Sequence, residues 1–267
     1  MKTRSLLFTG LLALATHSMA QTPMIYCWLN PSIEGPTLPH VVPANWLSCY
    51  GTPDTQPGNW GISQPPSHGS SYVSFLREGN GSTYKEGMSQ LLNGFLNPGT
   101  YVFTVDLAHT TAYATADPMG CYSSLAVYGG NSPCHEGELL WESDAFTHTN
   151  WETYSVVIKP TSPWNYITFY PQYLYNCGNG YINVMVDNLT CIEPIEIVNP
   201  ACDGSTAGSI TITPPSALSG PPFTYSWSTG VITPSNTITI LTAGTYTVVI
   251  SDSSGKTITY TFEVECD

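Results

Sequence analysis

Few patterns leave a chain less choice of fold than short runs of β-branched and aromatic residues closed off by turn residues, and this 267-residue sequence is built of them almost throughout. Such runs lie at 71–76, 100–108, 123–128, 138–141, 152–159, 164–170 and 181–189, and again at 208–213, 223–227, 237–241, 245–251 and 257–265. Turn signals stand between them, among them Asn97-Pro98-Gly99, Gly129-Gly130-Asn131 and Gly178-Asn179-Gly180. Within the runs the side chains alternate. Tyr101, Phe103, Val105 and Leu107 fall on one face of a strand, and Ile167 and Phe169 oppose Tyr166, Thr168 and Tyr170. The 22 prolines, 23 glycines and 17 tyrosines suit many short strands joined by turns and argue against helix. One stretch, 84–95, allows a helical reading, weakened by Gly87 and Gly94. Strands at this spacing without intervening helices predict an all-β fold, a two-sheet jelly-roll β-sandwich followed by a second, smaller β-sandwich.

The first residues predict export. Lys2 and Arg4 precede an apolar run, from Leu6 to Ala15, that is too short to span a bilayer, and Ser18-Met19-Ala20 offers the small residues a signal peptidase requires. Residues 1–20 are therefore expected to be a signal peptide, with Gln21 opening the mature chain; a glutamine there, in place of a cysteine, disfavours a lipid anchor. Losing Lys2 and Arg4 takes the formal charge from −13 to −15. Binding phosphates needs clustered Lys and Arg, so nucleic acid and anionic membrane surfaces are excluded as partners, and no later apolar run suits membrane insertion.

All eight cysteines follow Ala20, and an even count in an exported chain predicts a disulfide framework. Zinc is disfavoured because no Cys-x-x-Cys or closely spaced His pair is present. A change in composition at 191–200 suggests an extended linker over 192–199, dividing a first domain, 21–191, from a second, 200–267. Cys202 and Cys266 sit at the two ends of the second domain and are expected to pair. Cys121 with Cys134, and Cys177 with Cys191, each flank one strand. A strand of about seven residues holds its ends roughly 23 Å apart, against a disulfide Cα separation of at most about 7 Å. Alternating strand direction instead suggests Cys121 with Cys177, first and last strands suggest Cys27 with Cys191, and Cys49 with Cys134 remain.

Asn30-Pro31-Ser32-Ile33-Glu34-Gly35 and Val186-Asp187-Asn188-Leu189 resemble the opening and closing signatures of galactose-binding-like jelly rolls, among which carbohydrate-binding modules are prominent. Ile33 stands where an aromatic is usual. The segments 52–58, 125–131 and 138–143 look like N-terminal domains of Bacteroidetes surface proteins. In the second domain, Cys202-Asp203-Gly204, Gly208-Ser209-Ile210, the stretch 221–230 and Ala243-Gly244-Thr245-Tyr246-Thr247-Val248 resemble the Ig-like SprB-type repeat of gliding-motility adhesins. These resemblances imply an Ig-like second sandwich, a secreted or cell-surface place and, often, export by the type IX route. Such proteins commonly continue into a C-terminal sorting domain, whereas this sequence ends at Asp267, which leaves the route open. The jelly-roll resemblance also implies a structural Ca2+, with Glu34 and Asp187 as the matching side chains.

Aromatic rings stack on sugar faces while amides and carboxylates hydrogen-bond the hydroxyls. The segment holding Trp46, Asp54, Gln56 and Trp60 offers that mixture, as does the cluster Tyr170, Tyr173 and Tyr175. Arg77 and Glu86 flank one loop and read either as an ion pair or, with Gln90, as a polar floor for a ligand. No nucleophile elbow, metalloprotease helix or P-loop is present, and the histidines after the leader, His40, His68, His109, His135 and His148, stand singly. Glu136, Glu138, Glu142 and Asp144 raise the question of a glycosidase, but Glu138 and Glu142 are four apart on a strand and share a face. The expected function is non-enzymatic: a binding or adhesion protein recognising a glycan, a cell-surface polymer or other surface proteins, with the second domain as spacer. The alternatives are a structural surface or matrix protein and a polysaccharide-acting hydrolase.

Overall fold

The computed structural model describes residues 24–79, 82–111, 122–173 and 180–267. Among these the regular structure is strand, with no helix. The first part holds β1 (Leu47–Ser48), β2 (Asp54–Gln56), β3 (Tyr72–Glu78), β4 (Met88–Leu96), β5 (Thr100–Ala108), β6 (Leu125–Gly130), β7 (Glu138–Glu142), β8 (Glu152–Ile158), β9 (Trp164–Pro171) and β10 (Tyr181–Asp187). The rest holds β11 (Glu193–Val198), β12 (Gly208–Ile212), β13 (Thr224–Trp227), β14 (Ile232–Thr233), β15 (Thr237–Leu241), β16 (Gly244–Ser251) and β17 (Thr257–Val264).

One sheet of the first sandwich runs β1-β4-β9-β6-β7; the facing one runs β8-β5-β10-β3-β2, and every pairing is antiparallel. The face predicted from alternation packs into the core of this sandwich, and the opposite face of β5 is buried as well. Tyr101, Phe103, Val105 and Leu107 of β5 meet Ile167 and Phe169 of β9, together with Trp28 and Trp46. The stretch that allowed a helical reading is β4. Its apolar Met88, Leu92 and Leu96 are spaced by four, which a helix and every second inward strand position share. Gln90, two residues on from Met88, is also buried, as a strand requires, and β1 and β9 hydrogen-bond its two edges.

The expected linker is corrected by the structure, because Glu193–Val198 is a strand hydrogen-bonded on both edges. Along one edge of β5, β10 pairs with Asp106–Ala108 and β11 pairs with Thr100–Val102. Between them Thr190 N–H still donates to Thr104 C=O at 3.0 Å. The chain thus passes from one sandwich to the other without leaving β5. On its far edge β11 pairs with β12, which pairs with β15, and β14-β13-β16-β17 forms the opposing sheet. The buried Glu193 carboxylate ties this strand to the second sandwich by accepting the Ser216 N–H and the Tyr260 hydroxyl.

The two sandwiches also share apolar packing. Val102 on the outward face of β5 is fully buried in the cluster formed by Ile210, Tyr225, Trp227, Val248 and Phe262, and Val157 of β8 packs against it. Disulfides join Cys27 to Cys191, Cys49 to Cys134 and Cys202 to Cys266, with Cα separations of 4.2, 5.3 and 4.8 Å. All three are pairs expected from the sequence; the fourth, Cys121–Cys177, which strand direction suggests, lies outside the described residues.

Candidate functional site

Between β1 and β3 the chain spends more than twenty residues on the edge of the β3 sheet, with only β2 in regular pairing. Its tip is closed by local bonds: Gly58 N–H to Ile62 C=O at 2.8 Å and Ile62 N–H to Asn59 C=O at 3.0 Å. Gln56 and Thr55 fix Asn59, through its N–H at 3.0 Å and its side-chain amide at 2.8 Å. Ile62 is buried against Tyr72, Ala108 and Met185 and anchors the loop on the sheet. Trp60 is thereby held out at 46% exposure.

Beneath it lies Asp54, which is 1% exposed. Its carboxylate accepts the His40 N–H at 2.8 Å and the side-chain N–H of Trp60. Burial raises the Asp54 pKa above the ordinary carboxylate value, opposed by those two bonds. The rings of His40 and Trp60 lie 5.7 Å apart at 30°. Both residues have left-handed backbones, with φ of 62° and 57°, which are uncommon for side chains of this size and are held by the contacts just described. Trp60 therefore turns its polar edge inward and leaves ring face to solvent. An indole held in this way stacks on the apolar face of a ring-shaped ligand at little cost in side-chain entropy.

Of the residues proposed with Trp60, Asp54 and Gln56 share its neighbourhood and the others do not. Trp46 is corrected to the core. It is 4% exposed, stacks on Trp28 at 5.6 Å, meets Phe169 at 5.8 Å and donates Nε1–H to Asn30 C=O at 3.0 Å. Gln90 is buried and joins strands to the N-terminal segment, accepting the Leu29 N–H at 2.8 Å and donating to Asn45 C=O at 3.1 Å. Glu86 is buried and accepts the Leu76 N–H at 2.8 Å and the Tyr84 hydroxyl at 2.7 Å. Arg77 donates elsewhere, to Pro171 C=O at 3.1 Å and Gln172 Oε1 at 2.6 Å, so the pair forms neither an ion bridge nor a polar floor. Tyr170 is buried beneath Lys85, whose Nζ lies 4.2 Å from the ring centroid, Tyr173 packs beside Gly79, and Tyr175 lies outside the described residues. The residue missed in the sequence is His40. Nothing in its spacing marks it, because only the fold brings its ring against Trp60 and its N–H onto Asp54.

Glu34 and Asp187, the side chains implied for calcium, grip the loop before β3. Glu34 accepts the Ser70 N–H at 3.0 Å and the Ser70 hydroxyl at 2.6 Å, and Asp187 accepts the backbone N–H groups of His68 at 2.9 Å and Asn188 at 2.7 Å. Gly69 sits between these anchors at φ +68°, with the Glu34 carboxylate where a Cβ would lie. Calcium takes six to eight oxygen ligands. Here N–H and O–H donors face the carboxylates, and among the described residues no group of three or more His, Cys, Asp or Glu side chains could hold a metal ion. Through these bonds the two carboxylates pin the loop. Two of the acidic residues near β7 are likewise engaged: Glu138 accepts the Trp164 Nε1–H at 2.6 Å and the Thr161 N–H at 2.9 Å, and Glu136 meets Lys85 Nζ at 2.5 Å.

Comparison with known proteins adds one family and a set of distant structures. No curated protein matches the chain. A Stig cyclase from Fischerella sp. TAU is 15% identical with a TM-score of 0.42, covering 65% of this chain and 99% of its own. The N-terminal endo-1,4-β-D-xylanase 10B of Clostridium thermocellum, solved with xylohexaose, is 15% identical with a TM-score of 0.37, covering 64% of this chain and 28% of its own. A cleaved adhesin domain of Lys-gingipain from Porphyromonas gingivalis is 16% identical with a TM-score of 0.34, covering 63% and 97%. Likeness this remote carries no function across. Residues 195–231, from β11 into the β13–β14 turn, match the SprB repeat family.

Proposed function

We propose that this is an exported binding or adhesion protein whose first sandwich engages a glycan or surface polymer through the Trp60 face, while the second sandwich, which includes the SprB repeat match, serves as a rigid spacer. The supporting observation is the exposed Trp60 ring oriented by buried Asp54. A buried carboxylate costs stability unless it is bonded, and this one spends its bonds on presenting a surface aromatic. The disulfides suit an oxidising, extracellular compartment. Binding, with no catalytic step, is the whole of the proposed activity. On an array of neutral and acidic polysaccharides the full chain should bind saturably to at least one polymer, and Trp60→Ala should weaken that binding by about tenfold or more. An array on which the wild-type chain binds nothing would sink the glycan reading.

A structural role has one observation in its favour. Ile232 and Ile240 are 71% and 83% exposed on β14 and β15, two edge strands of the second sandwich. Exposed apolar edges pair with other chains. Concentration-dependent assembly in sedimentation, with no glycan binding, would favour that role instead.

A further inference from the structure

Where the two sandwiches meet, they enclose a cleft of about 550 Å³, within the range of about 300–1,000 Å³ usual for small-ligand sites. The first sandwich lines it with Thr153, Asn188 and Thr190, and the second with Lys256 and the exposed Thr257 and Thr259. Ser155 Oγ donates across the junction to Thr259 C=O at 2.9 Å, and the core shared through Val102 joins the same two bodies. The walls are therefore held before a ligand arrives, which lowers the ordering cost of binding.

Among the described residues that line the cleft, Lys256 alone is charged. Basic side chains are scarce after the leader: Arg77, Lys85, Lys159 and Lys256 stand against 19 acidic residues. Lys85 meets Glu136, but no carboxylate of the described residues lies within ion-pairing distance of Lys256 Nζ. It donates instead to the uncharged Ala217 C=O at 2.7 Å, which fixes the ammonium at the cleft and leaves two of its three N–H donors unspent. Asp252, four residues earlier, is buried and accepts the N–H groups of Ser219, Ser254 and Lys256. The wall from the first sandwich has the opposite character. Buried Asp106 accepts the Thr153 hydroxyl at 2.6 Å and the Asn188 side-chain amide at 2.9 Å. Those protons go to Asp106, so Thr153 Oγ1 and Asn188 Oδ1 are left to accept. Thr190 Oγ1 accepts both the N–H and the hydroxyl of Thr104, at 2.8 and 3.2 Å, and its own hydrogen has no acceptor among the described residues. A cation on one wall, and acceptors backed by a carboxylate on the other, match a ligand with a negative group on one side and O–H donors on the other. A sugar ring that bears a carboxylate is such a molecule.

We propose that this cleft binds a hexuronate residue, its carboxylate on Lys256 Nζ and its hydroxyls on Thr153, Asn188 and Thr190. The second sandwich then supplies a binding wall in addition to acting as a spacer. The site is separate from the Trp60 face and does not depend on what that face takes.

The full chain, ¹⁵N-labelled, is titrated with the methyl glycosides of glucuronic and galacturonic acid and, as neutral counterparts, with those of glucose and galactose. The backbone amide resonances of Thr190, Thr257 and Thr259 are followed by NMR. At least one uronate is expected to move them saturably, about fivefold or more tightly than its neutral counterpart, and to weaken as salt is raised from about 0.05 M to about 0.5 M. Lys256→Gln, which keeps an N–H donor for Ala217, should bring the uronate down to the affinity of the neutral sugar, and Lys256→Arg should retain the preference. Trp60→Ala should leave it within about twofold. No saturable movement with either uronate overturns the proposal, as does equal affinity for the neutral counterpart. Movement lost in Trp60→Ala and kept in Lys256→Gln overturns it too and assigns the uronate to the Trp60 face.

Discussion

Val102→Ala tests the claim that the sandwiches form one cooperative body. By sequence Val102 belongs to the first domain, yet it is fully buried in the second core, beside Ile210 and Tyr225. Removing its two methyl groups forfeits about 0.8 kcal/mol each in burial, and the cavity left behind raises the total to about 2 kcal/mol. For a chain of this size that corresponds to a fall in Tm of about 4 to 8 °C. Scanning calorimetry with the disulfides intact should show one transition that moves as a whole. Hydrogen exchange read by mass spectrometry should quicken in β13 and β16, more than a hundred residues away in sequence. If two transitions appear and only that of the first sandwich shifts, with exchange in β13 and β16 unchanged, the shared core does not exist as described.

Three other outcomes follow from the same contacts. Asp54→Asn keeps the size of the buried group but weakens its hold on the Trp60 and His40 N–H donors, so polymer affinity on the array should fall several-fold while the far-ultraviolet spectrum stays unchanged; full affinity would show that orientation of Trp60 is irrelevant. Burial holds the Glu86 pKa above its ordinary 4.5, so the folded state binds this proton more tightly than the unfolded one. The stabilisation is complete below 4.5 and is lost as pH rises through the folded value, so denaturant titrations of Glu86→Gln should lack that downward slope. Replacing both Cys202 and Cys266 by serine opens a loop with a sequence separation of 64 and should cost about 4 kcal/mol by loop entropy, read as a lower denaturation midpoint.

How far the site could be read from sequence is shown by the two tryptophans that flank β1 and β2. Trp46 and Trp60 are alike as residues and lie among similar neighbours, and both suit a stacking platform. What separates them is which one faces the Trp28 and Phe169 rings and which one Asp54 holds outward, and that depends on strands brought together from across the chain. Glu86 and Gln90 misled for a related reason. A polar side chain in a strand-rich segment looks available for a ligand until the backbone groups it must satisfy are known, and here those belong to Leu76 and Leu29.

Local rules were sufficient for the strands. Alternation with period two and turn residues at the run ends determine the all-β class and the face of β5 that enters the first core, and strand length rules out pairing Cys121 with Cys134 or Cys177 with Cys191. They could not determine the fate of 192–199. Pro194 removes a backbone donor, and a proline argues against a central strand when only neighbours in sequence are considered. In the fold that segment lies between β5 and β12, where hydrogen bonds from both edges outweigh the missing donor. The sequence by itself determined the strands because these depend on period and spacing. The junction of the sandwiches and the outward turn of Trp60 depend on which distant groups meet, and only tertiary structure decides that.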